Sequence, residues 1–436
     1  MARPGFIRAG RTHSGVCNQH AIRSGNVAAA DYDGGMRFSS RVDISDPNAI
    51  AQAEQAAKAG GIALDKLNDS NPTRFALAPR SLPTVYAAQP RGPLAARRVL
   101  ARFLTDRHAQ EAVQSGAPNT VDPVDPEHLY LLSSTSQAYS WLMKLLCDAG
   151  DVILAPKPGY PLIESIAALE CVEVMTYQQR FDGSWIIDTA QLQSALESPQ
   201  GERIRALVLI NPNNPTGSYV KPEERESIVR LCADHGIAII ADEVFYDFPV
   251  EPFPGNARLA GERRVLTFAL DGLSKMLAAP HAKVGWIQVS GPQNEVSQAL
   301  HRLDVIADDY LPMSDIIAAR LPDMLEEAKQ QTVRVRDRVT GNAWTLRRML
   351  QEDPRGLVSM LRMEGGWNAL VRIPSVLDEN EMVLRMIRDH KLTGQPGYFF
   401  DMTANGYLAV SLLPQPDQFA RNIAEVLDTV AVMIGE

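Results

Sequence analysis

The sequence predicts an α/β protein built on a mostly parallel sheet, with a smaller α+β domain beside it. Three observations carry this expectation. Between residues 128 and 241 short apolar runs alternate with helical segments, the signature of parallel strands whose two faces are covered by helices. Beyond residue 294 a long helical stretch leads into a second, shorter alternating segment. At 436 residues the chain also exceeds what one small core needs, so two domains are expected.

In chain order, residues 1–35 are rich in Gly, Ala, Ser and Arg without a sustained period and read as a flexible arm, either disordered or draped over a partner subunit. Residues 48–59 form a helix capped by Asp46 or Asn48 and stopped by Gly60-Gly61, and residues 62–67 a strand. An amphipathic helix covers 94–105. Strands are then expected at 128–132, 152–155, 172–177, 206–210, 237–241, 264–270 and 287–290. Helices are expected at 136–149 (closed by Gly150), 164–169, 191–197 and 222–235. The helical stretch 294–352 is interrupted near Tyr310-Leu311-Pro312 and at Leu321-Pro322. Strands at 357–363, 369–373 and 407–412 and helices at 379–390 and 417–434 complete the chain.

Composition excludes several classes. A net charge of −9 argues against a nucleic-acid surface, which needs a basic stripe. Cys17, Cys147, Cys171 and Cys232 lack metal-ligand spacing, so reduced thiols and no metal site are expected. No apolar run is long enough to cross a bilayer, and none follows Arg3, Arg8 and Arg11 as in a secretory signal. The expectation is a cytoplasmic protein with no membrane partner.

Three motifs carry chemistry. The first is the turn Asn211-Pro212-Asn213-Asn214-Pro215-Thr216-Gly217. The second, a helix's length later, is Ala241-Asp242-Glu243-Val244-Phe245 at a strand end. The third is Leu270-Asp271-Gly272-Leu273-Ser274-Lys275 after the next strand. Alone, a lysine after a strand is an ordinary surface residue, and an aspartate at a strand end an ordinary cap. In this order the three resemble the fold-type I pyridoxal-phosphate enzymes, the class I/II aminotransferase family, over most of the chain from about Leu67 onward.

The resemblance implies a three-layer αβα large domain over residues 80–290. It also implies a small α+β domain from 36–79 and 291–436, and an active site shared between the subunits of a homodimer. It implies the cofactor pyridoxal 5'-phosphate, with Lys275 bonded to its aldehyde as an internal aldimine. Such a lysine must be partly neutral. Asp242 would keep the pyridine nitrogen protonated, and Asn214 would donate to the phenolic oxygen. Ser133-Ser134-Thr135-Ser136-Gln137-Ala138 follows a strand and opens a helix. It is similar to the family's phosphate loop, with Thr135 and Ser136 as its best matches and Ser274 and Lys283 completing the cradle. Read locally, the same serines are N-caps. Tyr160 falls where the family stacks an aromatic on the cofactor, and Tyr86 matches the tyrosine that reaches a neighbouring subunit's phosphate. Half-buried core aromatics are the plain alternative for both.

Three departures from the family stand out. Lys283 replaces the usual arginine and loses its bidentate fork. Phe245 replaces a tyrosine that assists the phenolic oxygen, which implies a raised aldimine pKa. Tyr246, read as a strand neighbour, would face the other way. Ala409, in Gly406-Tyr407-Leu408-Ala409-Val410-Ser411, stands where the arginine for the substrate's α-carboxylate belongs. Arg74, in Asn71-Pro72-Thr73-Arg74, is nominated in its stead, with a solvated surface arginine as the alternative. The loops around Arg74, Tyr310 and Trp367 are expected to set side-chain specificity. The activity implied is amino transfer between an amino acid and a 2-oxo acid. The alternatives are carbon–sulfur β-elimination, decarboxylation or a cyclase-type reaction on the same cofactor, or a non-catalytic regulatory module.

Overall fold

A computed structural model describes residues 35–42, 44, 49–62, 72–75, 77, 79, 81, 85–115, 122–251 and 258–435. Eight strands form its larger sheet: β1 (Leu129–Leu132), β2 (Val152–Lys157), β3 (Glu173–Phe181), β4 (Trp185–Ile187), β5 (Ile204–Ile210), β6 (Ala238–Asp242), β7 (Thr267–Gly272) and β8 (Gly285–Ser290). Their spatial order is β1-β8-β7-β6-β5-β2-β3-β4. From β7 through β6, β5 and β2 to β3 all pairs are parallel, while β8 runs antiparallel between β1 and β7, and β4 antiparallel at the edge.

The central strands are apolar on both faces because both are covered. One face packs Ile153, Val208, Ile240, Phe268 and Leu270 against helices Thr135–Leu146, Leu162–Leu169 and Gln293–Tyr310. The other packs Leu154, Leu207, Leu209, Ile239 and Ala241 against helices Thr189–Leu196 and Pro222–Asp234. This is the three-layer αβα arrangement of a doubly covered parallel sheet.

A second sheet, in the order β11-β12-β10-β9, is antiparallel: β9 (Ser359–Met360), β10 (Asn368–Arg372), β11 (Gln395–Pro396) and β12 (Tyr407–Ser411). It shares a core with helices Leu321–Glu352, Glu379–His390 and Pro416–Ile434. Pro322 sits in the first turn of the 32-residue Leu321–Glu352 helix, where its missing N–H costs nothing. That helix packs on helix Leu94–Ser115 and on the short Leu273–Met276 helix as well as on the Pro416–Ile434 helix, tying the two sheets into one body.

Several boundaries differ from expectation. Helix Leu94–Ser115 runs ten residues past residue 105, because polar residues on one face do not interrupt a helix whose Leu100 and Leu104 are buried. Helix Thr135–Leu146 stops three residues early, at an extended Cys147. The strand expected over 264–270 is shifted to Thr267–Gly272. Of residues 357–363 only Ser359–Met360 pair. The β3–β4 hairpin was not foreseen, although Asp182-Gly183, with Gly183 at φ 72°, is its turn signal. All of the expected arm (1–35) but Gly35, all of the expected strand (62–67) but Ile62, and the cap at Asp46 or Asn48 lie outside the described residues.

One close approach joins the sheets. Gly217, at φ +69°, accepts the N–H groups of Glu364 and Gly365 at 3.0 and 2.9 Å, and a Cβ there would fall 2.6 Å from the Gly365 carbonyl oxygen. Gly217→Ala is therefore expected to lower stability by about 2–3 kcal/mol, read as a fall in the urea midpoint.

Candidate active site

The carboxyl ends of parallel strands leave backbone and side chains open to a ligand, and Thr135, Ser136, Tyr160, Asn214, Asp242, Ser274 and Lys275 follow such ends in the chain, whereas Arg74 and Tyr86 do not. Asp242 is the last residue of β6, and β7 beside it is in register with Asp242 opposite Leu270. Past β7, Gly272 starts a one-turn helix, Leu273–Met276, that carries Ser274 and Lys275. Gly272 is required there: a Cβ would lie 2.8 Å from the Val284 carbonyl oxygen.

Asp242 is buried, and its Oδ2 accepts the Tyr139 hydroxyl at 2.9 Å while its Oδ1 accepts the Val244 N–H at 3.3 Å. Burial pushes its carboxyl up to about 6, against the pull of these two donors and of Lys275. Burial lowers the Lys275 amine, and the Asp242 charge partly restores it. Lys275 Nζ lies 5.2 Å from the centroids of both the Phe245 and Trp367 rings. Among the described residues it has no hydrogen-bond partner. The amine is thus desolvated, flanked by π-faces and coupled to one buried carboxyl.

Phe245 lies in a turn after β6, not in a strand, which corrects the reasoning about Tyr246. Tyr246 packs edge-on against Tyr219 and carries Arg258 over its ring at 4.0 Å. Asn214 Oδ1 accepts the Asn368 Nδ2–H at 2.9 Å, which leaves the Asn214 amide N–H groups to donate elsewhere. Ser134 is the N-cap of helix Thr135–Leu146, accepting the Gln137 N–H. Thr135 and Ser136 are its half-buried first residues, and among the described residues their hydroxyls have no hydrogen-bond partner. A Cβ on Gly285 would sit 3.3 Å from the Thr135 nitrogen, so β8, two residues past Lys283, is pressed against this helix start. Lys283 itself is exposed, with φ +52°.

Tyr160 is 44% exposed and close enough to Tyr139 to influence its hydroxyl. Arg74 and Tyr86 lie together on another stretch: the Tyr86 N–H donates to Thr73 Oγ1 at 2.8 Å, and both side chains are exposed. Trp367 faces Lys275, whereas Tyr310 packs on Trp141 and over Lys144, toward the far end of helix Thr135–Leu146. Tyr139 escaped the sequence reading. Its signal was its place one turn after Thr135, on the same helix face.

A helix N-terminus with open hydroxyls, a buried carboxyl and a desolvated amine form a donor set that suits an anionic ring bearing a protonatable nitrogen and an aldehyde. The family model "Aminotransferase class I and II" matches residues 80–418. The chain belongs to that family. It is similar to an alanine aminotransferase of Mycobacterium tuberculosis, 28% identical over 316 residues covering 70% of each chain. Among solved structures it resembles an aminotransferase from Escherichia coli, with a TM-score of 0.69 at 22% identity over 91% of this chain and 98% of that one. It also resembles cystalysin from Treponema denticola, whose crystal contains pyridoxal 5'-phosphate. There the TM-score is 0.66 at 12% identity over 92% of each chain. The protein is a pyridoxal-phosphate-dependent aminotransferase. Among the described residues no helix is long and apolar enough to cross a membrane.

The buried Asp242 carboxylate opposes folding when ionised. Its folded value of about 6 lies above the ordinary 3.8, so the cost is absent below pH 3.8 and complete above pH 6. That difference corresponds to about 3 kcal/mol at most. Asp242→Asn is expected to raise the melting temperature of the cofactor-free protein at pH 8, with little effect at pH 4, as calorimetry at both pH values would show.

Proposed function

We propose that Lys275 would hold the cofactor through its amine and, when free, would move the proton at the substrate's α-carbon. The observation carrying this reading is the Asp242–Lys275 pair, a desolvated amine coupled to a buried carboxyl at the ends of adjoining strands. When bound, pyridoxal phosphate supplies an electron sink for charge developing at the substrate's α-carbon. Asp242, oriented by Tyr139, holds a proton on the pyridine nitrogen. Lys275, its hold on a proton weakened by burial, would accept the α-proton and return it. Thr135, Ser136 and the first N–H groups of their helix, with Ser274 and Lys283, would hold the phosphate. Asn214, fixed by Asn368, would donate to the phenolic oxygen, and Tyr160 would pack on the cofactor. Phe245 offers no second donor, which supports a raised apparent pKa for the bound chromophore.

The amino acid's carboxylate is not gripped from β12. Ala409 packs against the apolar cluster of Trp185, Leu361 and Leu370. Arg74 takes the role, and Tyr86 reaches the phosphate of a second subunit in a cytoplasmic homodimer. The division into a large domain at 80–290 and a small one at 36–79 and 291–436 belongs to this reading. The same apolar surroundings of Ala409 favour a second outcome, β-elimination or decarboxylation, because a loosely held carboxylate does not dictate which α-bond lies across the ring plane.

The visible spectrum of the purified holoenzyme, before and after single amino acids without keto acid, tests the reading. Conversion to the pyridoxamine form supports it, while release of pyruvate or carbon dioxide favours the second outcome. Lys275→Ala is expected to abolish covalent cofactor attachment by mass spectrometry and to lower kcat at least about 10³-fold. Arg74→Ala is expected to raise KM for the amino acid about tenfold with kcat nearly unchanged; an unchanged KM would sink the assignment of Arg74.

A further inference from the structure

Behind the Asp242–Lys275 pair lies a buried charge cluster that the mechanism above does not use. Helix Leu94–Ser115 contributes Arg107, His108 and Glu111. The turn after β6 contributes Glu243, Tyr246 and Asp247, the end of β7 contributes Asp271, and Arg258 sits among them. Arg258 bonds Glu111 Oε1 at 2.8 Å and Asp247 Oδ1 at 2.5 Å, and lies 3.9 Å from both Glu243 and Asp271. Arg107 Nη1 bonds Asp271 Oδ2 at 2.8 Å and Asp247 Oδ2 at 3.3 Å. Arg336, from helix Leu321–Glu352, adds positive potential at Asp247.

Asp271 has a particular place in this cluster. Its Oδ2 faces the two guanidiniums, while its Oδ1 accepts the N–H of Gly272 at 2.7 Å, the residue that starts the turn bearing Lys275. One carboxylate thus joins a rigid charged cluster to the backbone that presents the reactive amine. Burial raises the proton affinity of the Asp271 carboxyl, and Arg107 and Arg258, in ion-pair contact with it, pull it back toward the charged form, whose field reaches Asp242. His108, pushed to about 3 by burial and by the neighbouring guanidiniums, stays neutral at working pH.

We propose that Asp271 is a positioning residue for transamination. Clamped by Arg107 and Arg258, it fixes the Gly272 turn that aims Lys275, and it supplies a second negative charge behind Asp242. The inference rests on the reading of Lys275 and Asp242 given above. A purely structural ion pair would set stability alone. A charge in this position also sets the proton affinity of the groups in front of it.

The test is a spectral pH titration of the holoenzyme together with the pH profile of kcat/KM, in wild type, Asp271→Asn and Asp271→Glu. Removing one negative charge disfavours protonated forms nearby. Asp271→Asn is therefore expected to move the midpoint of the cofactor's visible absorption change to lower pH by on the order of half a unit, and the acid limb of kcat/KM with it. Asp271→Glu keeps the charge but lengthens the reach, so it should hold the midpoint and lower kcat about tenfold with little change in KM. An unmoved midpoint in Asp271→Asn overturns the proposal. Should that variant not fold, wild-type kcat in Asp271→Glu overturns it equally. A wild-type protein without any cofactor band would instead overturn the reading of Lys275 on which the proposal stands.

Discussion

The structure depends on keeping a carboxyl and an amine out of bulk water at the carboxyl ends of two hydrogen-bonded parallel strands. Burial works against charge on both, raising the affinity of Asp242 for its proton and lowering that of Lys275 for its own. Two ionisable groups held in this way are unfavourable for folding and useful for chemistry, because the charged form of each is destabilised and its proton is more readily exchanged with a ligand. The fold offsets part of the cost with directed donors: Tyr139 from the helix after β1 and the Val244 N–H from the turn after β6.

Those donors explain several features of the large sheet. Antiparallel β8 closes the sheet between β1 and β7, and its first residue is pressed against the Thr135 backbone. The helix bearing Tyr139 is therefore anchored from below by the strand that follows the lysine turn. The long Leu321–Glu352 helix contributes from the other side, where Thr332 Oγ1 donates to the Met276 carbonyl at 2.8 Å. The lysine turn is thus held at its start by the chain leading into β8, whose Val284 carbonyl accepts the Leu273 N–H, and at its end by Thr332 from a distant helix.

Much of this was legible in the sequence, for identifiable reasons. Apolar runs such as Ala206-Leu207-Val208-Leu209-Ile210 mark buried strands whatever their neighbours, and the three motifs fall at strand ends because ligand chemistry needs those ends. Pro322 and the Glu379–His390 helix could be read locally from proline placement and the Asp378 cap. The Arg107–Arg258–Asp271 cluster was not legible. Its members lie far apart in the chain, and each alone is an ordinary charged residue. Tyr139 was missed because an aromatic on a helix face is usually core, and only the fold brings its hydroxyl to Asp242. Tyr246 was misread because β6 ends at Asp242, so the alternation of a strand no longer applies at Phe245 and Tyr246, three and four residues later.

Trp367 stands between the two sheets. Its ring meets Phe245 and Phe248 edge-on at 5.4 and 5.2 Å, and it faces Lys275, while its carbonyl accepts the Leu412 N–H just past β12. The indole thus belongs by its backbone to the smaller sheet and presents its ring, 5.2 Å from centroid to Nζ, to the reactive amine beside the larger one. Any tilt of the four-stranded sheet becomes a change in the dielectric around that amine, so the molecule's mechanics and its acid–base chemistry are not separable.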